Sequence, residues 1–217
     1  MSNARERMLA RAARDVQPGM VVNLGIGLPT KIVDHLPEDL CVCLHTENGM
    51  TGIGPSLSPE QADRNLIDAG GAYVSTVPGS AFFDSATSFA MVRSGRLDLT
   101  MLGAFEVGSN GDLANWKIPG KFSPGVGGGI ELAQKARRVV VLTTHTDRAG
   151  NPKLKTKCSL PLTAPNCVAR IYTDLAVVDV GPKGFELVEL ARGVTVNEVV
   201  EATGAPLILP RGEMGVF

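Results

Sequence analysis

Largely apolar stretches of three to six residues recur along the chain, at Met20–Leu24, Leu40–Leu44, Ala72–Val77, Leu97–Leu102, Val139–Thr143, Leu175–Val180, Phe185–Leu190 and Leu207–Leu209. Segments this short, bounded by turn residues, suit buried strands. Helix signals stand between them. Thr30 can cap a short helix through Leu36, stopped by Pro37, and Asp84 can cap Ser85–Arg93, stopped by Gly95. Ser58-Pro59-Glu60-Gln61 and Thr195-Val196-Asn197-Glu198 both have capping-box spacing, the second leading through Val199–Ala202 to Gly204. Strand, glycine loop, helix, strand is the order of an α/β sheet covered by helices. The stretch Leu175–Leu190 differs: two strands around Gly181-Pro182-Lys183-Gly184 predict a hairpin, so the sheet is mixed. Cys41 and Cys43, either side of Val42, are expected on one face of a buried strand. The expectation is an α/β fold with residues 1–217 as a single domain.

Composition excludes several roles. Lys+Arg total 21 against 22 Asp+Glu, a formal net charge of −1, so no long-range field draws the chain to nucleic acid or an anionic membrane. Purely apolar runs stay very short, four residues in Val139–Leu142 and five in Leu40–Leu44, whereas a membrane helix needs about 20. The N-terminal Arg5, Arg7, Arg11 and Arg14 are not followed by the apolar core of a signal peptide, and a cytoplasmic location is expected. Four cysteines with no CxxC spacing read as reduced structural thiols, and no metal site is expected.

Three segments can carry chemistry. Asn23-Leu24-Gly25-Ile26-Gly27-Leu28-Pro29-Thr30 leaves a strand and opens a helix, either as a tight turn or as a loop whose N–H groups meet an anion. It lacks the third glycine of a dinucleotide fingerprint. In Leu44-His45-Thr46-Glu47-Asn48-Gly49 a strand ends and one carboxylate precedes a glycine-rich run. Glu47 can serve as base, metal ligand, nucleophile or simple loop cap. Metal binding wants more ligands than His45 and Glu47, and acid–base work wants a second partner, whereas nucleophilic attack needs only the carboxylate and nearby oxyanion donors. Lys117 to Leu132 is a Pro/Gly loop ending in Gly127-Gly128-Gly129 at a helix start, which suits either an oxyanion hole or a flexible connection. His35 and His145 lack motif partners and read as structural. Asp147–Lys157 reads as a solvated hairpin tip.

Four ordered blocks, Val22–Thr30, Leu44–Gly49, Gly111–Trp116 and Gly125–Leu132, resemble the β subunit of 3-oxoacid CoA-transferases, the succinyl-CoA:3-ketoacid, acetoacetate and 3-oxoadipate enzymes; Val168–Val177 is most similar to the 3-oxoadipate enzymes. The resemblance runs over nearly the whole chain. It implies an open α/β sandwich, and transfer of CoA from an acyl-CoA to a 3-oxo acid through a glutamyl–CoA thioester. It further implies Glu47 as the nucleophile, Gly128 as an oxyanion donor, and Asn23, Gly25, Gly27, Asn48, Gly49 and Gly127 at the coenzyme A site. CoA is then a substrate and no resident cofactor is expected. The partner it implies is an α subunit, in a heterodimer or α2β2 assembly, that shares the active site. The chain departs from the family with Thr46 in place of Ser, Met50 and Thr51 in place of two aliphatic residues, Gly129-Ile130-Glu131 in place of Ala-Met-Asp, and Gly71 in place of a CoA-contacting lysine. The competing reading is a nucleotide- or phosphate-binding module, or a non-catalytic structural subunit.

Overall fold

A computed structural model describes residues 2–123 and 125–217; Pro124 of the Pro/Gly loop lies outside them. In chain order the elements are α1 (Ser2–Ala13), β1 (Val21–Leu24), a 3-10 helix (Pro29–His35), β2 (Cys43–Thr46), β3 (Met50–Ser56), β4 (Val74–Phe82), α2 (Ser85–Arg93), β5 (Leu99–Leu102), β6 (Glu106–Gly108), β7 (Leu113–Ala114), α3 (Gly129–Lys135), β8 (Val139–Leu142), β9 (Leu154–Lys155), β10 (Val168–Tyr172), β11 (Ala176–Gly181), β12 (Gly184–Leu190), α4 (Val196–Ala202), β13 (Leu207–Ile208) and β14 (Gly215–Val216).

Five parallel strands, in the order β10-β8-β5-β1-β2, form the centre of one eleven-stranded sheet. Antiparallel pairs extend it on both sides, β2-β3-β4 on one and β10-β11-β12 on the other. The chain thus forms the mixed α/β sheet expected, with the β11–β12 hairpin turning at Gly181–Gly184. Strands β7, β6 and β9 make a separate small sheet.

Both faces of the sheet are covered, and the alternation within each strand shows how. Val140 and Leu142 of β8 join Met8, Leu9 and Ala12 of α1 and Ile32 of the 3-10 helix. Val139 and Val141 turn the other way, to Ala133 of α3, Leu113 and Leu154 of the small sheet and Val199 of α4. Each such side chain, fully buried, contributes about 1.5–3 kcal/mol of transfer free energy. Arg11 ties α1 to β12 through both Glu189 oxygens at 2.7 Å, and reaches Asp15 at 2.8 Å.

The connections set the functional end. From β1 the chain moves to β2 by the 3-10 helix, then returns to the other side of β1 at β5. The strand order therefore reverses between β1 and β5, and open α/β sheets place ligands outside the carboxyl ends of strands at such a point.

Several local expectations change. Thr30 does not cap an α-helix; it lies inside the 3-10 helix and its hydroxyl donates to the Gly27 carbonyl, because Pro29 takes the first position after Leu28. Ser58 and Gln61 close only a turn, since no apolar stripe follows to stabilise a helix there. Cys41 is exposed and precedes the strand, which begins at Cys43. Lys153 and Lys155 are not part of a solvated tip: Lys153 donates to the Thr143 and Thr144 hydroxyls, and Lys155 pairs with Glu106 at 2.6 Å beside buried Leu154. Asp84 caps α2 by accepting from the Thr87 N–H, and Thr195 and Glu198 form the full capping box of α4. Among the described residues no helix is long and apolar enough to cross a membrane.

Candidate active site

Glu47 sits on the tip of a hairpin that the local sequence pattern does not announce. Thr46 pairs with Met50 across β2 and β3, leaving Glu47-Asn48-Gly49 as a three-residue loop closed by the Gly49 N–H donating to the Thr46 carbonyl. Loops of this length favour glycine at the last position. Gly49 has φ +126°, and a Cβ there would lie 2.0 Å from the Phe83 carbonyl oxygen, so only glycine fits. Asn48 is exposed; its carbonyl oxygen accepts from the Thr46 hydroxyl and its amide donates to Ile67, bracing the following loop.

Behind the tip lies one polar row. Sheet register sets Asn23 of β1 opposite His45 of β2 and Thr100 of β5. All three are buried in largely apolar strands, and Ser88 of α2 is buried above them. Strands covered on both faces seldom carry such residues unless each is hydrogen-bonded. Here each is. Asn23 Nδ2 donates to Glu47 Oε2 at 3.1 Å and to the His45 carbonyl at 3.3 Å. The Thr100 hydroxyl donates to Asn23 Oδ1 at 3.1 Å, and His45 Nε2 lies 3.0 Å from Ser88 Oγ. Burial pushes the His45 pKa down to about 4, and its ring stacks on Phe83.

Gly128 arrives from the other side. It is the N-cap residue of α3, with φ −77°, so its backbone alone does not demand glycine. Space does. A Cβ there would stand 2.6 Å from Phe89 Cζ of α2 and 3.6 Å from Glu47 Cγ. The end of β1, the hairpin tip and the start of α3, far apart in sequence, therefore meet at Glu47.

The other expected positions divide. Gly25 is buried, and its N–H donates to the Met101 carbonyl at 2.8 Å, so that donor is engaged inside the sheet and not turned to a ligand. Gly27 (φ +95°) and Gly127 (φ +54°) are exposed with open space around them. Asn23 has no exposed surface and touches the Glu47 carboxylate. Ser88, Thr100 and Phe89 join the site without any motif that singles them out, whereas His45 stands in the block that carries Glu47. For Asn23, His45 and Thr100 the further signal is a polar residue at matching depth in successive, largely apolar strands, Val-Val-Asn-Leu, Cys-Leu-His-Thr and Leu-Thr-Met-Leu. Among the described residues no three His, Cys, Asp or Glu side chains gather as metal ligands.

A groove of about 360 Å³ lies at the opposite end of the parallel strands, lined by Arg137, Arg138, Asn166 and Cys167 among others. Its arginines are engaged, Arg137 by Asp98 and Arg138 by Asp15, and the Cys167 thiol is pushed up to about 12 by burial. It offers neither nucleophile nor base. A second concavity, between Thr46 and Asp68, holds only about 40 Å³, and Glu47 is not among its lining residues.

Known proteins resemble this chain in sequence and in fold. The β subunit of a probable coenzyme A transferase from Bacillus subtilis is 48% identical over 203 residues, covering 94% of each chain. The corresponding subunit of the 3-oxoadipate CoA-transferase from Acinetobacter baylyi is 45% identical over 205 residues, again 94% of each. Among solved structures, an acyl-CoA transferase from Escherichia coli O157:H7 in thioester complex with CoA superposes at a TM-score of 0.76 with 21% identity; the match covers 98% of this chain and 43% of that one. A decarboxylase, AibA/AibB, has the same fold at a TM-score of 0.72 and 23% identity, over 98% of this chain and 88% of that one, so the fold alone does not decide the chemistry. Fold and close relatives together define an enzyme that transfers CoA. The chain belongs to the coenzyme A transferase family, whose model matches residues 5–202.

Proposed function

We propose that this chain is the nucleophile-bearing subunit of a two-subunit enzyme that moves CoA from an acyl-CoA, succinyl-CoA in the first instance, to a 3-oxo acid such as 3-oxoadipate or acetoacetate, by way of a CoA thioester on Glu47. The observation that carries the reading is Glu47 itself. Its carboxylate stands on a rigid hairpin tip with one oxygen tied to Asn23, and the Gly128 backbone borders its side chain. The imidazole nearest to it, His45, is bonded to Ser88, and burial pushes its pKa down to about 4, which makes it a weak base.

The free carboxylate oxygen attacks the thioester carbonyl of the acyl-CoA. The C–S bond breaks, CoA leaves as thiolate and a mixed anhydride remains. The thiolate then attacks the Glu47 carboxyl carbon, expelling the first acid and leaving Glu47–CoA. The second acid runs the sequence in reverse, so the kinetics are ping-pong. Each tetrahedral step develops an oxyanion, and one well-placed donor, the role assigned to the Gly128 N–H, contributes about 3 kcal/mol. Coenzyme A is a substrate, and the chemistry needs no resident cofactor.

The site is open as half of a shared one. The concavity between Thr46 and Asp68 is far too small for CoA, and Glu47 does not line it. Large apolar side chains stand exposed on elements that build the site: Ile26 after β1 is 63% exposed, Phe82 beside the hairpin 60%, and Phe122 before the Gly127–Gly129 run 94%. An α subunit closing over Glu47 accounts for both, and it keeps water from the anhydride. The test is to charge the assembled complex with acyl-CoA in the absence of acceptor and map the product by mass. CoA is expected on the peptide bearing Glu47; an active complex labelled elsewhere, or not at all, removes the assignment.

A further inference from the structure

We propose that the Asn23 side-chain amide is the donor for the oxyanion that forms on Glu47's own carboxyl carbon, and that Thr100 is the positioning residue that aims it. This deepens the Glu47 reading and rests on it. The reaction has two kinds of tetrahedral intermediate. One is centred on the substrate's acyl carbon, the other on Glu47 Cδ, and a donor placed for the first does not serve the second.

In the second kind, the thiolate sulfur bonds to Cδ of the anhydride and the π pair of the Cδ–Oε2 bond moves onto Oε2. That pair then returns, the Cδ–Oε1 bond breaks, and the departing carboxylate carries its electrons away. No proton moves. The negative charge appears on the oxygen that is not the attacking one. In this structure that oxygen is Oε2, already 3.1 Å from Asn23 Nδ2. The other oxygen is left for the substrate.

The amide orientation follows from its neighbours. On the Nδ2 side stand the Glu47 carboxylate and the His45 carbonyl, and both can only accept. The NH₂ group must face them. Oδ1 then faces the Thr100 hydroxyl, which must donate. His45 completes the arrangement. Its Nδ1 lies 3.4 Å from Asn23 Nδ2, so it presents a lone pair there, and Nε2–H donates to Ser88. Burial favours this neutral ring. Because Asn23, His45 and Thr100 are register partners on three adjacent strands, the donor is fixed by the sheet and needs no movement during reaction.

The experiment uses the complete complex, charged with acyl-CoA to Glu47–CoA, desalted and challenged with hydroxylamine. Hydroxylamine attacks the same carbon and forms the same oxyanion, yet it needs none of the acid-binding groups. Loss of the thioester is followed by mass. In Asn23→Ala it is expected to slow about 10²–10³-fold. In Thr100→Val, close to isosteric, it is expected to slow about tenfold, and Thr100→Ser, which restores the hydroxyl, is expected to react like wild type. A site merely loosened by substitution would react faster, so the direction separates the two roles. A wild-type hydroxylamine rate in Thr100→Val and in folded Asn23→Ala overturns the donor role while leaving the Glu47 thioester standing. Absence of any Glu47 adduct in the wild-type complex overturns the covalent reading, and this inference with it.

Discussion

Glu47 is a reagent because of what surrounds it, and Gly128 shows how narrow the tolerance is. A methyl group at residue 128 would meet Phe89 at 2.6 Å and approach Glu47. Gly128→Ala is therefore expected to lower kcat at least tenfold with little loss of thermal stability, since Phe89 is only partly buried and can turn aside at the surface. Phe89→Leu in the same chain is expected to recover much of the rate; a double variant as slow as the single one removes the steric account. Two other residues set the acid limit of the fold. His45 and His145 are buried, and burial pushes both pKa values down to about 4. The unfolded chain protonates each near 6.5 while the folded chain stays neutral. Stability is thus intact above pH 6.5 and falls as the pH drops toward 4, by an amount of the order of 3 kcal/mol per histidine at the limit. Thermal midpoints between pH 7 and 4.5 measure this, and His145→Gln is expected to flatten the slope. A midpoint independent of pH across that window contradicts it.

At the scale of elements, what the chain declares locally is its helix starts. Asp84 and Thr195 do what their spacing promises, because capping depends on a side chain and the N–H two or three residues on. Asp84→Ala is expected to cost about 1 kcal/mol, measured by denaturant unfolding, and to slow transfer slightly because α2 carries Ser88 and Phe89 to the site. An unchanged unfolding midpoint would falsify that account of α2. Thr30 and Ser58 carry equally good local signals and cap no α-helix. At Thr30, Pro29 and packing onto α1 favour the tighter 3-10 turn. The β2–β3 hairpin departs in the other direction. Gly52 and Gly54 give Met50–Ser56 the look of a loop, yet it is a strand whose glycines let Ser80 and Ser75 approach its backbone. Strand identity there is decided by pairing with β4, whose partner residues lie 18 to 32 positions away, from Ser56 with Val74 to Met50 with Phe82, which no local pattern contains.

For the whole molecule, the decisive fact is the reversal of strand order between β1 and β5. It brings the end of β1, the Glu47 hairpin and the start of α3 together at the carboxyl end of the parallel strands. Elements at that end also carry exposed Ile26, Phe82 and Phe122. The chain alone is therefore expected to show no CoA transfer, and activity is expected on adding a matching α subunit, with an interface of more than about 2,000 Å². Turnover with and without the partner, alongside mass by light scattering, measures it; full turnover by the isolated chain as a monomer defeats the half-site argument. The amino-acid sequence by itself determined the α/β grammar, the family blocks, the helix caps and the identity of Glu47 as the candidate nucleophile. These depend on residue type and short spacing, and they survive in one dimension. Tertiary structure alone decided that Gly25 turns its N–H into the sheet, that Asn23 faces the Glu47 carboxylate, and that Thr100 and His45 stand in register on either side of it. Those are contacts between strands separated by 22 and 77 residues. They exist only once long loops have closed and the register of the sheet is set.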